Sequence, residues 1–270
     1  MKKIRAIPRY IKLLALFIKF ALQTEMEYKI NFFAGILVEC GYFLVKLAYV
    51  YIVFQTGNTD LRGLAPEDVS IYVGTFTIIT AFFMFFWPSF LRLSTVIRDG
   101  SLDILLTKPV DLQFIMSLRY LSCSMILPNL IGGSALLCYG LHRSVQVMEW
   151  WSMLGYLFFV ILGTVLIYSL FLIPKAFLSF WFVSSSSADI FISSIWDANN
   201  MPMSIYGKMV RIIGTYVVPV FIIANYPAMF ITHKLHTGEM IWAMVAVTIC
   251  FCAARWIFNM GIRHYESASS

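Results

Sequence analysis

Few side chains in this sequence could do chemistry, and several of them stand in apolar surroundings. Glu39 and Lys46 interrupt one apolar run seven residues apart. On a helix that is about two turns, so they share a stripe but are too far apart to pair directly. Ser184, Ser185 and Asp189 belong to the stretch SSSSAD in another run. Ionisable groups at membrane depth are functional candidates by default. Their options are to line a hydrated pathway, to meet a second membrane subunit, or to pair with a neighbouring helix; serines also allow tight helix packing. His233 and His236 stand three apart, but Glu239 is the one nearby carboxylate, and no metal is assigned. The five cysteines (Cys40, Cys123, Cys138, Cys250, Cys252) lie in apolar runs without metal-ligand spacing and read as small buried side chains. There is no HExxH, no G-x-S-x-G and no convincing pair of intramembrane catalytic aspartates. The single GK pair, Gly207-Lys208, lacks the preceding glycine and the following Ser/Thr of a phosphate loop. The chain reads as neither an enzyme nor an ATPase.

The elements that must position these groups follow from hydropathy. Of 270 residues, 60% are hydrophobic and 13% charged, against about 25% charged in an ordinary soluble domain. Several runs reach the length of roughly 20 residues that a helix needs to cross hydrocarbon. The composition predicts an all-α polytopic membrane protein forming one domain over 1–270. Six spans are predicted, at 30–54, 70–91, 114–140, 150–172, 176–196 and 240–260. Segment 9–24 places Ile11, Leu14, Ile18 and Leu22 on one helical face and lysines on another, which suits an amphipathic helix at the inner leaflet. Segment 203–232 is apolar but broken by Gly214, Pro219, Asn225 and Pro227, and is read as a re-entrant hairpin entered from outside. With both termini inside, fourteen of the twenty Lys/Arg fall in cytoplasmic pieces and five in external ones, as the positive-inside rule requires. The net charge of +6 is thus a matter of topology and not of nucleic-acid binding. Pro174-Lys175 is read as a tight cytoplasmic turn, because burying the lysine costs about 2.5–3.5 kcal/mol on insertion scales. Pro128-Asn129 and Gly132-Gly133-Ser134 in the third span predict close helix approach.

Residues 98–109, RDGSLDILLTKP, form a polar island between spans two and three. Gly100 suits the positive φ at a helix end. Ser101 is placed to cap a new short helix with Asp103 in its first turn. Leu102, Leu105 and Leu106 fall on one face, Pro109 stops the helix, and Asp111 can cap the next. The leucine face either packs on the chain's own spans or docks on another protein.

Here the sequence resembles a known family. IRDGSLDILLTKPV is similar to the G-x-L-D-x-L-L-x-K-P-V signature of ATP-binding-cassette (ABC) permeases of the type-2 exporter class. MPMSIYGKMVRIIGTYVVPVFIIANYPA resembles that family's external P-L-S-I-Y-P…P…YP block, MGIRHYESASS its closing G-L-R-R-Y-E-S-A-S tail, and EYKINFF its Y-R-x-N-F opening to span one. Gly207 stands where the family often has proline, and His264 where it often has arginine. The resemblance implies six spans, an elbow helix over 9–24, a re-entrant segment over 203–232 and a coupling helix over Gly100–Pro109. That helix would rest on a separate ATPase, with Gly100, Ser101, Leu102, Asp103, Leu105, Leu106, Lys108 and Pro109 at the contact. It further implies two ATPase subunits holding ATP and magnesium, no cofactor in this chain, and a second permease, a related sibling or an identical copy. The setting implied is lipid, in a bacterial cytoplasmic membrane with both termini inside. The cargo would be amphipathic or hydrophobic: a drug, lipid or peptide. The competing readings are an ion-coupled secondary transporter, which would show broken spans at matching positions of two halves, and an intramembrane enzyme.

Overall fold

The computed structural model describes residues 7–55, 64–144, 149–182 and 186–265, and every regular element among them is helical. In chain order these are α1 (Ile7–Glu27), α2 (Lys29–Gln55), α3 (Pro66–Arg98), α4 (Leu102–Leu106), α5 (Leu112–Leu118), α6 (Ile126–Arg143), α7 (Trp150–Trp181), α8 (Ser186–Asp197), α9 (Lys208–Ile212), α10 (Ile222–Ile231) and α11 (Thr237–His264). α9 runs on into a π-helical turn at Ile213–Val217. Among the described residues, four helices are long and apolar enough to cross a membrane: Lys29–Val53, α3, α7 and α11. The pair Lys208–Val217 and Ile222–Ile231 meets that standard only together, across a bend of 99°.

The centre of the bundle is α3 and α7, which run in the same direction. Tyr156 donates to Thr75 (3.2 Å), Phe171 packs edge-on against Phe83 and Ser179 bonds Ser94 (2.7 Å), so rising numbers match along both helices. α11 runs the same way beside α7: Phe180 meets Phe258 and Trp181 stacks on His264. α6 returns against α3 through glycines. A Cβ on Gly74 would lie 2.6 Å from the Leu137 amide, and one on Gly133 2.9 Å from the Gly74 carbonyl. Real Cβ atoms do not come that close, so the backbones touch because these residues have none. The predicted close approach in the third span is thus present; Gly132 makes a second one, to Phe43 of α2.

Three expectations are corrected. First, the predicted turn at Pro174-Lys175 is absent: α7 runs unbroken from Trp150 to Trp181 with Pro174 inside it. Lys175 is buried and its Nζ lies 2.6 Å from Asp189 Oδ1. The lysine has an anion at hand, which removes the electrostatic reason for expelling it. Second, spans three and five are not long helices. Span three is divided into α5 and α6 by a non-helical stretch, whose backbone is satisfied from elsewhere. Ser89 Oγ donates to the Tyr120 carbonyl and accepts from its amide, and the Ser122 amide donates to the Phe85 carbonyl, beside Pro88 of α3. Span five is represented by α8, only 12 residues long. Trp196 of α8 stacks on Phe83, and Tyr72 donates to the Asn199 and Met201 carbonyls, so this segment climbs from Lys175 to the Pro66 end of α3. Third, none of the five cysteines is buried: Cys40, Cys138 and Cys252 are exposed, Cys123 and Cys250 intermediate. Cys250 packs against the edge of the core, and Cys123 stands in the non-helical stretch between α5 and α6.

Segment 203–232 folds back on itself. The Met203 amide donates to Asn225 Oδ1 (2.8 Å), and Tyr206 packs on Phe221. On its return, the Ile223 carbonyl lies against Gly163, where a Cβ would come within 2.4 Å. α10 then rises beside α7, Phe230 against Phe159, until Lys234 pairs with Asp68 near the start of α3. The segment therefore begins and ends at the same end of the bundle.

Candidate functional site

The segment from Gly100 to Pro109 is a partly exposed connection between α3 and α5. Gly100 has φ 72°, the left-handed conformation that glycine adopts without cost. Its carbonyl accepts from the Asp103 amide (3.1 Å), which closes the turn into α4. Ser101 does not cap this helix; its hydroxyl donates to Asp99 Oδ1 (2.8 Å). The Ser101 hydroxyl and amide hold the Asp99 carboxyl below its usual range. The leucine face is divided. Leu102 is wholly buried and Leu105 nearly so, whereas Leu106 is 45% and Ile104 64% exposed. Thr107, Lys108 and Pro109 are also exposed, and Asp103 is partly so. α4 is anchored by two leucines and presents two other aliphatic side chains outward.

The far foot of this connection is tied into the bundle by Asp111. Its carboxylate accepts from the Phe114 amide (3.0 Å), the predicted cap, and forms an ion pair with Arg255 of α11. Half-burial opposes its charge, but the Arg255 hydrogen bond and the Phe114 amide outweigh that and hold the carboxyl below the usual carboxylate range. Arg255 also donates to Gln113 Oε1 (2.8 Å), Gln113 donates to Tyr168 of α7 (3.0 Å), and Ser117 completes the chain at 2.6 Å. The Asp111 amide donates to the Tyr10 hydroxyl of α1 (3.1 Å). One residue next to the connection thus touches α1 and α11 and reaches α7 through Gln113. Sequence reasoning assigned Asp111 only a capping role; an arginine within the last apolar run was the available signal.

Glu39, Lys46 and Asp189, the polar candidates read from the sequence that the structure describes, are each partnered. Glu39 is buried and accepts from Asn129 Nδ2 of α6 (2.6 Å). Lys46 donates to Thr77 Oγ1 of α3 (3.2 Å) and lies 5.4 Å from the Phe76 ring centroid. As predicted, the two do not bond each other. Asp189 is joined to Lys175 and keeps 35% of its side chain exposed. Ser184 and Ser185 lie outside the described residues. Among the described residues, no group of three His, Cys, Asp or Glu could hold a metal ion.

An all-helical chain with these long apolar helices defines the class first: a multi-pass membrane protein. The chain belongs to the ABC-2 family of transporter proteins, whose family model matches residues 40–269. It is therefore a permease component of an ABC transporter, a transport subunit and not a catalytic domain, in a family that typically works with ATPase subunits. No curated protein and no solved structure is significantly similar to it.

Proposed function

We propose that the chain forms one membrane half of an ATP-driven exporter and couples to a separate ATPase through α4 and its flanks. The divided leucine face carries this reading. Leu102 and Leu105 fix α4 to its own subunit, so force on the connection passes into α3 and, by way of Asp111, into α11 and α7. Ile104 and Leu106, with Thr107, Lys108 and Pro109, are the surface a partner would cover. Two ATPase subunits binding ATP and magnesium, and a second permease, sibling or identical, complete the complex.

The same reading gives the chain six traverses of a bacterial cytoplasmic membrane with both termini inside. α5–α6 serves as the third and α8 as the fifth, α1 is the elbow at the inner leaflet, and 203–232 is the re-entrant segment. Thirteen cytoplasmic Lys/Arg remain once Lys175 is withdrawn, still far above the five outside. Most of the apolar length of α2 is exposed, including Leu37, Tyr42, Leu44 and Val45, which suits contact with the second permease. The cargo is amphipathic or hydrophobic, since few charges stand in the long helices and Glu39, Lys46 and Lys175 among them are engaged by other side chains.

The test is co-purification. Ile104→Asp and Leu106→Asp should each lower ATPase retained on the full-length permease by about tenfold or more, as loss of an apolar anchor does, with insertion unchanged. Wild-type retention and wild-type ATP-driven transport in both variants would overturn the assignment. Leu102→Asp is the wrong probe, because that side chain is buried in its own subunit.

A further inference from the structure

α1 is held to the bundle like a strap. Near one end Tyr10 accepts from the Asp111 amide and packs on Phe114; near the other Glu25 accepts from the Cys123 and Ser124 amides and the Ser122 hydroxyl. Between these fastenings lies a cavity of about 740 Å³, walled by α1, by Pro88 and Arg92 of α3, and by the chain from Leu105 to Leu121. Four cations reach it: Arg9, Arg92, Lys108 and Arg119. The single carboxylate in its wall is Glu25, already engaged by the amides and hydroxyl just named. The Arg92 and Arg119 guanidiniums lie 4.4 and 5.4 Å from the centroid of the same Tyr120 ring. Neither forms an ion pair with a carboxylate among the described residues. Two guanidiniums beside one ring are like charges whose repulsion an anion near both would relieve, and planar guanidiniums match phosphate oxygens in bidentate fashion. The rest of the wall is apolar, chiefly Leu13, Phe17, Phe20 and Ile115.

We infer that this cavity is a binding site for an anionic glycerophospholipid, its phosphate between Arg92 and Arg119 and its acyl chains along the apolar face of α1. A soluble phosphate would satisfy the cations but leave the apolar walls uncovered; a zwitterionic lipid would bring its own cation into a basic site. The bound lipid bridges α1 to the chain next to α4, and so ties the elbow to the coupling segment. The inference rests on the proposed placement of α1 at a membrane leaflet.

Native mass spectrometry of the full-length chain, delipidated and titrated with phosphatidylglycerol, phosphatidylcholine or glycerol 3-phosphate, tests it. One phosphatidylglycerol should be retained in preference to phosphatidylcholine, and glycerol 3-phosphate should neither bind nor displace it. Arg92→Gln with Arg119→Gln should weaken retention roughly twenty-five-fold, from about fivefold per basic residue. Arg92→Lys with Arg119→Lys should weaken it less, which separates loss of charge from misfolding, and Arg211→Gln on α9 should change nothing. Equal retention of both lipids, equal binding of glycerol 3-phosphate, or retention indifferent to both arginines would overturn the site. ATPase retention is read on the same samples. Its loss in Arg92→Gln/Arg119→Gln with lipid binding intact would assign the guanidiniums to the protein partner and refute the proposal. Its persistence in Leu106→Asp refutes the coupling reading and leaves the lipid site standing.

Discussion

Removing Asp189 should damage this protein more than removing Lys175. Lys175 is 1% exposed and Asp189 35%, joined at 2.6 Å. Asp189→Leu removes the carboxylate that pairs with an ammonium enclosed in α7. Breaking a buried pair in this way costs about 3–5 kcal/mol, and the partial exposure of the aspartate places the value near 3. Lys175→Met leaves a carboxylate that can hydrate through its open side, at a cost of about 1 kcal/mol. The double variant, with two apolar side chains of similar volume, should return close to wild type. In detergent, thermal unfolding can be followed by labelling of Cys123 and Cys250, the two partly buried thiols. At about 2 °C per kcal/mol, Asp189→Leu should fall by about 6 °C, Lys175→Met by about 2 °C, and the double variant by little. Equal losses in the two single variants would mean that the open side of Asp189 faces lipid and not water, which refutes the asymmetry. It would also remove Asp189 from any hydrated pathway. A double variant as unstable as Asp189→Leu would refute the pairing argument itself.

Other consequences are as direct. Gly74→Ala puts a methyl 2.6 Å from the Leu137 amide and should cost about 1–3 kcal/mol by overpacking; Gly41→Ala, with nothing within 4 Å, should be neutral or stabilise the helix by up to about 1 kcal/mol. Both are read by the same cysteine-labelling melt. Because the Asp111 carboxyl is held below its ordinary value by Arg255 and the Phe114 amide against the opposing effect of half-burial, its contribution is fully present above the unfolded value of about 4. It is lost as pH falls below that value through the folded one. Asp111→Asn should therefore lower stability by about 1 kcal/mol at neutral pH and reduce the acid dependence of the melt; an unchanged acid limb would refute the role given to this ion pair.

The parts legible in the sequence were those set by local or one-dimensional signals. Gly100 announced its left-handed turn, Asp111 its cap, and the breakers from Gly214 to Pro227 their bend. The parts that were not legible depend on partners distant in sequence. Lys175 taken alone is costly at membrane depth and points to a turn; Asp189, fourteen residues on, changes that cost. Leu102, Leu105 and Leu106 share a helical face on paper, yet a five-residue helix lying against its own bundle divides them by burial, which periodicity does not encode. The break after α5 depends on Ser89 and Glu25 supplying hydrogen bonds across about 30 and 100 residues.

The common direction of α3, α7 and α11 has an electrostatic consequence. Each helix carries the equivalent of about half a positive charge at its first turn and half a negative charge at its last, and three aligned side by side add their fields. The sequence supplies counter-charges at both ends: Glu67, Asp68, Glu149 and Glu239 at the starts, Arg98 and Arg263 at the finishes. These terminal charges therefore offset a built-in polarity of the three parallel helices. Exchanging Glu239 for lysine would add like charge where three positive helix ends already meet.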